Sequence, residues 1–118
     1  MTSPINIHDS GKKIYLLYGI YNIRVLGGWN VKVGNFSISL RNIKNGRIIE
    51  SRRTNMRVQS YAFRQRAKRI LIIDITEEGE YIIEFKNSTN LKVKKSNLIL
   101  QYLWDSPIPN KNIEICIG

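Results

Sequence analysis

The sequence predicts an all-β protein, and three observations carry that expectation. Apolar and polar residues alternate at period two over most of the chain, with Ile, Val, Tyr and Phe at the apolar positions. No stretch sustains the i, i+3, i+4, i+7 spacing of an amphipathic helix. Turn-forming residues recur at short, nearly even intervals, which suits an antiparallel sandwich of about eight to ten short strands. No linker or break in composition divides the chain, so residues 1–118 are expected to form one domain. Residues 1–11, MTSPINIHDSG, read as a mobile polar lead-in.

Taken in order, the expected strands cover 13–17, 21–26, 29–33, 36–43, 47–52, 56–63, 69–75, 81–86, 91–94, 98–103 and 113–117. The sharpest turn signal is IKNGRI, because Asn45-Gly46 suits a two-residue type I′ turn in which both central residues need φ > 0. That turn would set Ile43 opposite Ile48, Arg41 opposite Glu50 and Ser39 opposite Arg52. Arg41 and Glu50 would then form a cross-strand ion pair. Phe36, Ile38 and Leu40 would share the other face with Ile49 and Ser51. NLILQYLW is apolar on both faces of its alternation and reads as a central buried strand. DSPIPN carries two prolines that cannot donate to a ladder, so it reads as an extended connection. The final strand sets Ile113, Ile115 and Ile117 on one face, with Glu114 and Cys116 on the other.

One pattern occurs twice: GIYNIRV at 19–25 and GEYIIEF at 79–85, each after an apolar run opened by two basic residues, KKIYLL and KRILII. In the second copy, Glu78, Gly79 and Tyr81 resemble the tyrosine corner of immunoglobulin-like sandwiches. The resemblance implies a tyrosine hydroxyl bonded to backbone upstream, pinning a connection between sheets. Gly19 and Tyr21 are read the same way in the first copy. The fold class expected is therefore a sandwich of immunoglobulin-like or jelly-roll topology, since the Gly-x-Tyr wording suits both.

Composition narrows the function classes. Of the 118 residues, 42% are hydrophobic, enough for a packed core. No apolar run approaches the roughly 18–20 residues of a membrane-spanning helix. A single cysteine rules out an intrachain disulfide, and residues 1–13 lack the apolar centre of a secretory signal, so a cytoplasmic location is expected. Catalysis is poorly supported. His8 is the lone histidine, its neighbour Asp9 does not build a triad, and Cys116 reads as an ordinary strand residue. No cofactor is implied. Asp74, Glu77 and Glu78 match no calcium-loop spacing, and His8 with Cys116 makes no transition-metal set.

Charge is the best functional lead. The net charge is +10, yet residues 41–69 hold ten of the nineteen basic side chains and one acid, Glu50, whereas residues 74–84 hold five acids and no base. Alternation along RVQSYAFRQRAKR puts Arg57, Gln59, Tyr61 and Phe63 on one strand face, with Met56, Val58, Ser60 and Ala62 toward the core. Together with Arg52, Arg53, Arg64, Arg66 and Lys68, this face suits an anionic polymer, either nucleic acid or acidic glycan. Bases would stack on Tyr61 and Phe63 while arginines meet phosphates. Two other readings stand beside it. A lectin-like site would stack sugar on Trp29 within GGWN, and complementary charge poles would favour a self-assembling, capsid-like homo-oligomer.

Overall fold

The computed structural model describes residues 1–54, 57–94 and 108–118. The expected strand at 98–103 and Trp104 lie outside them. Among the described residues there are twelve strands, no α-helix and two short 3-10 turns. The strands are β1 (Ile5–Asn6), β2 (Lys13–Leu16), β3 (Gly19–Leu26), β4 (Asn30–Lys32), β5 (Ser37–Asn42), β6 (Ile48–Glu50), β7 (Arg52–Arg53), β8 (Gln59–Ala62), β9 (Gln65–Ile75), β10 (Gly79–Lys86), β11 (Lys92–Lys94) and β12 (Glu114–Ile117).

All pairings are antiparallel. One sheet runs β1-β12-β3-β9, with β7 and β8 both paired to the far edge of β9. A second runs β2-β10-β5-β6, and β4 and β11 form a separate ribbon. Between the sheets lies one core in which Ile5, Ile7, Ile23, Val25, Phe36, Ile38, Leu40, Leu71, Ile73, Tyr81, Ile83 and Ile115 are buried. The all-β sandwich expectation holds. The N-terminal segment is not a loose lead-in: Ile5 pairs with Ile115, the Ile7 amide donates to the Ile113 carbonyl, and both isoleucines are buried. Ordering of 5–7 follows from IxI alternation, which gives the segment an apolar face that the polar residues around it hide from a composition-based reading.

The repeated pattern occupies the two places where the chain changes sheets. β2 crosses to β3 through Leu17 and Tyr18, and β9 crosses to β10 through residues 76–78. The Tyr21 hydroxyl donates to the Leu17 carbonyl at 2.9 Å and accepts from the Leu17 amide at 3.1 Å. The Tyr81 hydroxyl donates to the Glu77 carbonyl, also four residues upstream. The two corners lie side by side, since Gly19 pairs with Ile75 and Gly79 pairs with Leu16.

The β5–β6 hairpin departs from the expected register. Its pairs are Ser39↔Glu50, Leu40↔Ile49 and Arg41↔Ile48, two residues from the arrangement a two-residue turn would give. The buried Asn42 side chain is the cause. Its oxygen accepts from the Lys44 amide at 2.8 Å and the Asn45 amide at 3.2 Å, nucleating a wider loop that Gly46 closes at φ 72°. A shift of two preserves side-chain faces, so Ile38, Leu40 and Ile49 stay on the core side. The ion pair does not survive the shift. Glu50 instead meets Lys86 of β10 at 3.0 Å, an exposed contact. The expected strand at 47–52 is also divided, because after Ser51 the chain leaves β5 and β7 joins the other sheet.

A bulge in the β3–β9 pair sets up everything that follows. Ile23 faces Leu71 and Arg24 faces Arg69, leaving Ile70 as an extra residue on β9. Ile70 and Leu71 are consecutive, yet both are buried in the same core. The extra residue also inverts the alternation upstream. Lys68 now faces core residue Val25, whereas Ala67 faces Leu26 on the opposite side.

Candidate anion-binding site

β8 and β9 form a hairpin with pairs Ala62↔Gln65, Tyr61↔Arg66, Ser60↔Ala67 and Gln59↔Lys68. The two-residue turn is Phe63-Arg64, and both residues have positive φ, 51° and 61°. The type I′ geometry expected at Asn45-Gly46 is found here instead, on two side chains that disfavour it. Phe63 is therefore corrected from a strand face to a turn, where it is 46% exposed beside the exposed Arg64. Alternation placed Ser60 and Ala62 opposite Gln59 and Tyr61, as the pairing does. Ala62, however, packs into a small separate cluster with Leu26, Ala67 and Cys116, not into the main core. Val58 is 49% exposed, and Met56 lies outside the described residues.

Because of the bulge, Gln59, Tyr61, Arg66 and Lys68 stand on the core side of the sheet, beyond the end of the core. Trp29 covers them there. Its indole N–H donates to the Ser60 carbonyl at 3.1 Å, its ring meets Tyr61 edge-on with centroids 5.4 Å apart, and the Arg66 guanidinium lies 4.5 Å from its ring centroid. The Lys68 ammonium donates to the Trp29 carbonyl at 2.7 Å. A guanidinium nitrogen of Arg57 reaches the Val31 carbonyl on β4 at 3.4 Å. The result is a mouth at one end of the sandwich, lined by two aromatic rings and three cations. Tyr61, at 69% exposure, is its open aromatic surface.

Partial burial, and secondarily the Arg57 charge, lower the Lys68 pKa from its ordinary value. The charged form is thus disfavoured in the fold. Lys68 is expected to favour folding increasingly as pH climbs from its depressed value to that of an unfolded lysine, because the unfolded chain binds more protons in that window. NMR titration of the lysine Cε signals checks this. Lys68 should titrate below the exposed lysines and move partway back in Arg57→Ser; a Lys68 that titrates with the others contradicts the arrangement.

The structure does not gather all the residues of the basic stretch. Arg52 and Arg53 pair with Ile72 and Leu71, further along β9, and Arg52 contacts Asp74 at 3.3 Å. Arg41, Lys44 and Arg47 belong to the β5–β6 hairpin beside the acidic corner. Arg57, Gln59, Tyr61, Phe63, Arg64, Arg66 and Lys68 do come together. Trp29, considered separately for sugar stacking, joins them, and its ring carries Arg66. Gly27 does not open space for a ligand beside it: at φ +103° it has the Ile108 side chain against it, 2.5 Å from where a Cβ would stand.

Among the described residues no group of three or more His, Cys, Asp or Glu is placed to hold a metal, and no helix is long and apolar enough to cross a membrane. His8 bonds Asn110 through its ring at 2.6 Å. Cys116 is buried, and burial raises its thiol pKa, the opposite of what a nucleophile needs. Comparison with protein-family models, with curated proteins and with solved structures gives no match.

Proposed function

We propose that this chain is a non-enzymatic binding module whose mouth takes an anionic polymer, single-stranded nucleic acid in the first place. The observation that supports the reading is the convergence of Arg57, Arg66 and Lys68 on Trp29 and the exposed Tyr61. Cations held this close repel one another, and an entering polyanion relieves that repulsion while releasing its own counterions. An open tyrosine ring beside them offers a base a stacking surface, which a sulfated or uronic glycan does not need.

Fluorescence anisotropy with a labelled single-stranded oligonucleotide, titrated across salt concentrations, tests this. Changing Arg57, Arg64 and Arg66 to Ser should lower the salt slope by about three, one for each lost phosphate contact. Tyr61→Ala should cost about 1–3 kcal/mol on a nucleic acid. Retained affinity for a heparin-type glycan in that variant, with none for the oligonucleotide in wild type, would move the ligand to acidic glycans. A folded triple-Ser variant that binds as well as wild type overturns the reading.

A further inference from the structure

The end of the molecule opposite the mouth carries a contiguous apolar surface that the proposed function does not use. Tyr15, Leu17, Tyr18 and Ile20 are 59%, 56%, 77% and 71% exposed. They fall on one six-residue segment that includes the sheet-crossing corner. Large exposed side chains clustered on a rigid corner mark an interaction surface more often than chance scatter does. Acids flank this one. Asp74 is paired with Ile20 across the ladder, Glu80 with Tyr15, and Glu77 and Glu78 lie in the neighbouring corner. Asp74 is engaged by Arg52, whereas Glu77, Glu78 and Glu80 make no ion pair among the described residues. Lys44 and Arg47 on the adjoining loop offset part of this charge. The apolar side chains therefore supply most of the contact area, and the acids set its direction.

The occupant that fits is the mouth of another copy. It presents the opposite charge through Arg57 and Arg64, with Tyr61 and Phe63 as its own exposed apolar surface. The two surfaces sit at the two ends of β9, whose eleven residues span about 36 Å at roughly 3.3 Å each, in a body 49 Å long and 24 × 22 Å across. One chain cannot satisfy both within itself. Corner against corner would oppose glutamates, and mouth against mouth would oppose arginines, so like charge disfavours both twofold contacts.

We propose that the chain self-associates head to tail, the Tyr15–Ile20 corner of one copy seating on the Arg57–Arg64 mouth of the next. Such a contact is heterologous and extends to a ring or an open chain. It rests on the same property as the proposed function, a mouth that accepts anionic groups, and it makes a polyanion and a second copy competitors.

The test uses two variants changed only at exposed positions, Tyr18→Ser with Ile20→Thr at the corner and Arg57→Glu with Arg64→Glu at the mouth. Light scattering follows each alone and in equal mixture, and thermal melts establish that both are folded. Wild type should rise in mass above 13.7 kDa with concentration and return to it with added salt. Each variant alone should stay monomeric, and the mixture should form a dimer that grows no further, because one intact corner meets one intact mouth. A wild type that remains monomeric, a variant that assembles as wild type does, or a mixture that fails to dimerise each overturns the proposal. Oligonucleotide binding by the corner variant separates the two readings. Binding without assembly refutes only the association, and assembly without binding refutes only the polymer.

Discussion

Tyr81→Ala is expected to destabilise the fold by about 3–5 kcal/mol, the usual cost of emptying a buried aromatic site. Tyr81 is 1% exposed and packs with Ile38, Leu40 and Ile83, and its hydroxyl also ties the Glu77 carbonyl at the crossing between sheets. Tyr81→Phe separates the two effects, since it keeps the ring and removes only the bond, and should cost about 1 kcal/mol. Tyr21→Ala should cost less than Tyr81→Ala, because Tyr21 makes the same i to i−4 bond from a partly exposed position at the edge of the core. Urea midpoints at constant m-value measure all three. Equal losses for both alanine variants would show that ring burial does not dominate. A loss below about 1 kcal/mol for Tyr81→Ala would show that the corner does not hold the sheets together.

These two tyrosines also show what was legible in the chain. A glycine, a tyrosine two residues on and an apolar alternation starting there are local features, so the sequence exposes them directly. That the copies are neighbours, Gly19 against Ile75 and Gly79 against Leu16, depends on the β3–β9 and β2–β10 pairings across more than fifty residues. No local pattern encodes that. The hairpins show the opposite case, in which a strong local signal lost to side-chain chemistry. Asn45-Gly46 carries the favoured turn dipeptide, yet the Asn42 carboxamide binds two loop amides and widens the loop. Phe63-Arg64 carries no turn signal, yet long pairing on either side, Ala62↔Gln65 through Gln59↔Lys68, leaves exactly two residues to reverse the chain.

The candidate site was half legible for a related reason. Charge clustering pointed to the right hairpin, but strict alternation assumed an unbroken ladder from Arg66 to Ile75. With no extra residue at Ile70, Lys68 and Arg66 would fall on the side of the sheet away from the core. The bulge reverses them toward Trp29, turning an outer-face cluster into a mouth. A hint existed in the sequence: RILIID sets four apolar residues in a row, more than one face of a strand can bury. Such a run suits a bulge as well as a strand covered on both sides.

The turn at the lip of this mouth yields the second large effect. Residues with side chains held at positive φ cost of order 1–3 kcal/mol each, and a bulky residue such as Phe63 is among the least tolerant. Phe63 is 46% exposed, so replacing it sacrifices little burial. Changing Phe63-Arg64 to Asn-Gly, the pair that type I′ geometry favours, should therefore raise stability by about 1–3 kcal/mol. The same double change should weaken oligonucleotide binding, because it removes Arg64. The single changes apportion the outcome: Phe63→Asn should stabilise while leaving the salt slope in place, and Arg64→Gly should lower that slope by about one. Urea denaturation and anisotropy on the three variants read both quantities. If Asn-Gly destabilises the chain, the left-handed pair is held by packing that outweighs its strain. If it stabilises the chain and binding is undiminished, the turn plays no part in the mouth, and the contact with the polymer belongs to Arg57, Tyr61, Arg66 and Lys68 alone.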